Sequence, residues 1–276
     1  MNKFVAIALF ALVGAPACMD AADEPTTGEA DQEVGGRTLT THTCGSATSC
    51  SYDLGSWATQ TCFLAGIEGD MGDSGGFPVF QSNDAGVERV CNAGTSCYYP
   101  SDFDNYLVIN NANSSSNLRV TVGCVNSVAN RTENVWYGDP SQPLKVPATS
   151  GRRCFLSDVT VYQDALIHGP DLISITNSGG YFVLNGSFYD PLAEAAASLV
   201  CLDIGTDEGT WAYNNGTTSP ASGSLASDST NNVMCGLTAV GGILTTVGQG
   251  IEVSYAPYQW SWSVKSHSQF AAQCFK

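Results

Sequence analysis

CFLSDVTVYQDALIHGPDLISITNSGGYFVLNGSFYDPLAEAAASLVCL, which runs from Cys154 to Leu202, is the clearest of three copies of one plan in this 276-residue chain. It opens on Cys-x-Leu and passes through two β-like runs, residues 172–175 and 181–184. Asn177-Ser-Gly-Gly180 separates the runs, and a second cysteine, Cys201, closes the copy. β-branched and aromatic residues on either side of a Gly-rich turn signal an antiparallel hairpin. The other copies start CGLTAVGGILTTVGQGIEVSYAPYQWSWSV at Cys235, closing at Cys274, and CFLAGIEGDMGDSGGFPVF at Cys62, closing at Cys124.

Aligned on the opening cysteine, Leu64, Leu156 and Leu237 coincide, as do Ile67, Val159 and Val240. Gly169 and Gly250 coincide, with Gly76 one place earlier, and a strand follows each; in the first copy it is placed at residues 78–81. Each copy ends on small or β-branched residues running into cysteine: RVTVGC, AAASLVC and QFAAQC. If the last strand lies beside the first, Cys62 pairs with Cys124, Cys154 with Cys201 and Cys235 with Cys274. Two short loops, CGSATSC and CNAGTSC, are alike in size and suggest local pairs, Cys44 with Cys50 and Cys91 with Cys97. The second loop lies inside the first copy and reads as an insertion there.

The expected fold is therefore all-β, with three tandem disulfide-closed antiparallel β modules. They stand either as separate beads or as one pseudo-threefold sandwich or barrel-like body. A module with only 39 to 62 residues between its cysteines has a marginal core, so the modules lean on each other or on their staples. The divisions read as 1–17 signal peptide, 18–36 acidic flexible tether, 37–131 first repeat with insertion, 132–206 second repeat and 207–276 third repeat. Residues 19–36 carry six acids and no base, a composition that cannot bury a core.

The N-terminus has Lys3, a short apolar run over residues 4–13, and Ala15-Pro16-Ala17 before Cys18. The run is too short to span a bilayer and reads as a signal peptide. It resembles a bacterial lipoprotein signal with Cys18 as the lipidated residue, although Ala15 stands where such signals usually carry Leu. Ala15-Pro16-Ala17 also fits an ordinary cut that would leave Cys18 free. Of 11 cysteines, Cys18 is the one left over when ten pair, which favours lipidation. The repeats resemble the Cys-Phe-Leu β modules of secreted bacterial proteins; that resemblance implies an extracytoplasmic, cell-envelope or secreted setting and no activity.

A net charge of −16 argues against nucleic acid and against electrostatic docking on anionic lipid, so membrane contact would come only through a lipid anchor. Eleven cysteines without a C-x-x-C and only three histidines point to disulfides rather than zinc. Gly72-Asp-Ser-Gly-Gly76 looks like the nucleophile loop of trypsin-like serine proteases, with Ser74 attacking. Only His42 precedes Ser74, by 32 residues, too few for that family's first barrel. No cofactor is implied. Ca²⁺ is the ion whose oxygen ligands are present, at Asp70 and Asp73, at Asp102, Asp104 and Asn105, and at Asp203, Asp207 and Glu208; these are also ordinary turn residues. His42, His168 and His267 read as polar surface residues. Trp57, Trp136, Tyr137, Trp211, Tyr213, Trp260 and Trp262 could stack on sugars. Trp136, Trp211 and Tyr213, beside Gly, Asp and Asn, are the candidates for an exposed binding surface. The expected function is non-enzymatic binding or adhesion, with loops presented to a glycan or protein partner; a secreted hydrolase or a structural coat protein is the alternative.

Overall fold

The computed structural model describes residues 29–34, 37–45, 49–71, 83–92, 97–110, 117–127, 129–163, 166, 168–190, 194–203, 207–213, 221–227, 233–244, 249–256, 261–266 and 269–275. Apart from a short 3₁₀ turn at Pro100–Asp102, the regular structure described is all β. After an edge strand β1 (Glu29–Val34), the strands fall into three sets of six. The first set is β2 (Arg37–Cys44), β3 (Ser49–Ser56), β4 (Thr61–Glu68), β5 (Asn83–Cys91), β6 (Phe103–Asn110) and β7 (Leu118–Val125). The second is β8 (Thr132–Trp136), β9 (Leu144–Pro147), β10 (Arg152–Gln163), β11 (Leu172–Ser178), β12 (Tyr181–Ser187) and β13 (Glu194–Asp203). The third is β14 (Asp207–Tyr213), β15 (Ala221–Ser227), β16 (Met234–Gly241), β17 (Gly250–Ala256), β18 (Ser261–Ser266) and β19 (Gln269–Phe275).

Corresponding strands do the same job in each set. The opening strand pairs antiparallel with the closing strand, β4 with β7, β10 with β13 and β16 with β19. In each pair the two cysteines face one another directly, with Cα atoms 4.0, 4.1 and 4.0 Å apart, and are joined: Cys62–Cys124, Cys154–Cys201 and Cys235–Cys274. Each opening strand carries a register shift at the same place, after Leu64, Leu156 and Leu237. A bulge bends a strand and increases its twist. Beyond this one the opening strand gains a second partner from a different set: β4 pairs with β17, β10 with β5 and β16 with β11.

Three sheets result, ordered β1-β2-β7-β4-β17-β18-β15, β3-β6-β5-β10-β13-β8 and β14-β19-β16-β11-β12-β9. Each joins three strands of one unit to three of the unit before it, and the third unit closes back onto the first. The units are thus one body with a pseudo-threefold exchange of hairpins, not beads. At the exchange seams Ile67 faces Ile251, Val159 faces Ala85 and Val240 faces Ile173, and all six are buried. The aligned leucines Leu64, Leu156 and Leu237 are buried as well.

Where the three opening strands meet, Phe63 stacks on Phe155 with ring centroids 4.5 Å apart. Phe275 completes the group at 5.2 Å from Phe155 and 6.1 Å from Phe63. The sequence alignment sets Gly236 opposite Phe63 and Phe155. Here the third ring comes from beside the closing cysteine instead, and Gly236 makes the room: a Cβ there would lie 2.6 Å from Phe63 Cδ2 and 2.7 Å from Phe155 Cδ1.

The strand expected at residues 78–81 lies outside the described residues, and β5 fills that role. The Cys91–Cys97 disulfide lies in the connection between β5 and β6, which is longer than the Gly179-Gly180 turn joining β11 and β12, so the insertion falls inside this hairpin. Residues 29–34, inside the stretch read as a flexible tether, form edge strand β1, with Val34 opposite Arg37. Backbone pairing at a sheet edge needs no apolar face, so acidic composition does not prevent it. The Cys44–Cys50 disulfide lies between β2 and β3.

Candidate binding cleft at the junction of the first two units

A 280 Å³ cleft opens over the second sheet where the first unit's hairpin meets the second unit. That is close to the lower bound, roughly 300 Å³, of small-molecule sites. Glu88 and Arg89 come from β5, Asn105 from β6, Ser157 from the bulge of β10, Ser198 and Val200 from β13, and Glu133, Asn134 and Val135 from β8. Trp57, Thr61 and Arg131 line it from the strands' ends and connections.

Trp57 is held by the turn that follows β3. Its backbone N–H donates to Phe103 O at 3.2 Å, and the Thr59 and Gln60 amides donate back to Ser56 O. Gly55, at φ +94°, permits that turn, and its N–H donates to Asp53 Oδ1 at 2.8 Å. Indole Nε1 donates to Glu133 Oε1 at 2.9 Å. The Arg131 guanidinium lies 3.6 Å from the centre of the indole and donates through Nη1 to Gln60 O at 2.6 Å. Its Nε is 3.8 Å from Glu133 Oε1. Burial lowers the Arg131 pKa; Glu133 opposes this and Arg89 adds to it. Arginine stays charged regardless. Arg89 is exposed and stacks over Trp57 at 4.9 Å and Phe103 at 4.6 Å. One indole and one phenyl ring thus seat two guanidinium groups.

A row of acids borders the cleft. Asp84, Gly86 and Glu88 share one face of β5 by the two-residue repeat of a strand. Asp158 of β10 stands opposite both Gly86 and Ser198. Gly86 leaves space for the Asp158 carboxyl, because a Cβ there would be 2.3 Å from Asp158 Oδ1. Burial first, then the Asp84 charge and a hydrogen bond shared with its carboxyl, push the Asp158 pKa well up. Two carboxylates this close cannot both ionise readily, which holds the Asp158 carboxyl above the ordinary carboxylate range. Thr160 Oγ1 donates to Asp84 Oδ1 at 3.1 Å, and Asn110 Nδ2 donates to Asp84 Oδ2 at 3.2 Å. Crowding by protein and the Asp84 charge also raise Glu88. The matching seam between third and first units reverses the arrangement. Gly66 there faces Glu252, and Arg119 reaches both Glu252 (3.3 Å) and Glu68 (3.5 Å).

The residues singled out from sequence are scattered. Trp136 is 2% exposed, and its indole covers Gly186 of β12, where a Cβ would be 2.4 Å from the ring. It stacks on Phe188 and donates to Asp139 O at 3.1 Å. Pairing with the small Ala197 directs it inward, while its neighbours Val135 and Tyr137 are exposed. Trp136 is thus a core residue and not an exposed ligand platform. Trp211 and Tyr213 lie on β14 at the edge of a different sheet, with side chains outside the described set; by register Tyr213, not Trp211, holds the place of Trp136. Ser74 and His267 lie outside the described residues. His42 packs on Tyr52 at 4.3 Å, and the His168 amide donates to the buried Asp171 at 2.9 Å.

Among the described residues no group of three or more His, Cys, Asp or Glu is placed to hold a metal. Asp102 accepts the amides of Tyr98 and Tyr99, and Asp203 pairs with Arg152. Asp73 and the side chains of Asp207 and Glu208 lie outside the described set. All ten cysteines after Cys18 are in disulfides, which places the folded protein in an oxidising compartment. Among the described residues no helix is long and apolar enough to cross a membrane. Compared with protein-family models, curated proteins and solved structures, the chain matches none.

Of the cleft, sequence reading singled out Trp57 as a stacking aromatic and Asn105 in an acidic turn. Arg89, Arg131 and Glu133 carry no pattern of their own, since separate strands and turns bring them together. The cleft's described lining has no histidine, and its one cysteine is bonded. It offers carboxylates, amides, hydroxyls and two guanidinium groups, which is hydrogen-bonding capacity in both directions.

Proposed function

We propose that this chain is a non-catalytic, extracytoplasmic binding protein of adhesion type that takes a glycan in the cleft between its first and second units. The observation that carries this reading is the lining. Asn105, Asn134, Ser157, Ser198, Glu88 and Glu133 surround the space, and Trp57 stands at its side. A hydroxyl-rich ligand matches that alternation of donors and acceptors, with Val87, Val135 and Val200 beside them to meet the apolar face of a sugar ring. The lipidation of Cys18 belongs to the same proposal: it would hold the binding body at the cell envelope. Ten of the 11 cysteines pair, so Cys18 is the remaining one.

A glycan array probed with the disulfide-intact protein tests the reading. Binding to a restricted set of glycans, lost in Ser198→Trp because the indole fills the cleft, is the expected outcome. Binding that survives Ser198→Trp, or no binding, overturns it. Intact-mass measurement of protein from the native host checks the anchor: acyl chains on Cys18 are expected, and a free thiol there refutes it.

A further inference from the structure

We propose that the glycan is acidic, with a sugar carboxylate recognised by Arg89. This rests on the cleft being a glycan site and adds the chemical class. Three other arginines illustrate the usual arrangement in this protein: Arg119 pairs with Glu68 and Glu252, Arg131 with Glu133, and Arg152 with Asp203. Arg89 differs. Its guanidinium is seated on Trp57 and Phe103, it is exposed at the cleft, and among the described residues no carboxylate lies within ion-pairing distance.

Stacking fixes the plane of the guanidinium while its N–H edge remains for a ligand, and that fork matches a carboxylate. Asn105 stands directly across from Arg89 on β6, with its Nδ2 donating to Gly55 O at 3.3 Å. Arg131 lies over the same indole, and the two positive groups repel each other. A bound carboxylate relieves that repulsion. In a chain of net charge −16, an anion is held off nearly everywhere else, which makes one uncompensated cation at a cleft a selective device. Glu88 and Glu133 line the same cleft and can accept from the hydroxyls of the same sugar.

The test compares trigalacturonate with the same trimer after carboxyl reduction, which removes the charge and keeps the ring. An acidic peptide serves as a third probe. Titration calorimetry at low and high salt is run on wild type, Arg89→Gln and Arg89→Lys, with the melting temperature of each recorded. About tenfold tighter binding of the acidic trimer is expected at low salt, on the scale of one charge-assisted contact, falling as salt rises. Arg89→Gln should remove the preference; Arg89→Lys should keep part of it. Equal binding of both trimers, unchanged by Arg89→Gln, overturns this inference and leaves the glycan reading intact. Binding of neither trimer in a protein that does bind other array glycans also overturns it. If no glycan binds at all, both fall. Arg89-dependent binding of the acidic peptide alone overturns it in favour of a protein partner.

Discussion

Replacing Gly236 with alanine tests whether the three units meet at one aromatic centre. The new Cβ would approach Phe63 Cδ2 to 2.6 Å, and Phe155 Cδ1 and Phe63 Cε2 to 2.7 Å. Carbon atoms prefer about 3.5–4.0 Å, so the rings would have to retreat by roughly 1 Å. Neither ring has solvent to move into, because both are fully buried and stacked on each other and on Phe275. In an interior packed like a crystal, the cost falls near the upper end of the usual overpacking range, about 3 kcal/mol. For a domain of this size, each kcal/mol shifts the midpoint by about 2–4 °C. Calorimetric melting with disulfides intact should therefore fall by about 6–12 °C. Gly45→Ala is the control: its nearest neighbour would be Asn117 Oδ1 at an ordinary 3.7 Å, and its effect should stay within about 0.5 kcal/mol. In a Phe63→Leu background the penalty of Gly236→Ala should shrink by about 1 kcal/mol or more, the coupling expected of residues in contact. A loss below about 1 kcal/mol, or a penalty indifferent to Phe63→Leu, would refute the idea that the rings converge on Gly236.

The raised Asp158 pKa makes a signed prediction. The folded state holds a proton that the unfolded chain releases, so this group costs nothing below the ordinary carboxylate range. It destabilises progressively as pH rises toward the folded pKa, by up to about 1.4 kcal/mol per pH unit. Urea denaturation between pH 4 and 8 should show Asp158→Asn flattening that slope and stabilising the protein at neutral pH; a wild-type slope in the variant sinks the assignment. Cys154→Ala with Cys201→Ala opens a loop of 47 residues and should cost about 4 kcal/mol in the loop-closure model; a guanidinium titration showing less than about 1 kcal/mol would remove the staple from the account. Trp136→Ala should cost about 3–5 kcal/mol, as for a large aromatic in a core, and chemical denaturation showing no change would return Trp136 to the surface.

The threefold plan is legible in the sequence because its carriers are positional. Leu64, Leu156 and Leu237 repeat at one spacing from cysteine, and the cysteine that closes each copy lies across a single ladder from the one that opens it. The exchange of hairpins is not legible. A strand's pattern tells which face is buried but not which neighbour covers its edge, and Val159 against Ala85 looks in sequence like any two apolar residues. Phe275 was equally hidden, since it fills a space that only the absent side chain of Gly236 defines. Trp136 misled because its flanking Gly138 and Asp139 suggest a loop, while the opposite Ala197 is what turns the indole inward. The cleft is least legible: Trp57, Arg89 and Arg131 converge through three-dimensional adjacency alone.

The pairing of β4 with β17 brings Ile67 against Ile251, near opposite ends of the chain. An emerging polypeptide can build its early ladders but must leave the outer flank of β4 bare until its last unit has been delivered. Loop-closure entropy and slow long-range pairing then govern the final step. The ring therefore closes last, at β4 and β17, once the third unit is in place. Loss of the terminal unit would strip the partner from both β4 and β11 at once, so truncation should undo the whole ring rather than shorten it.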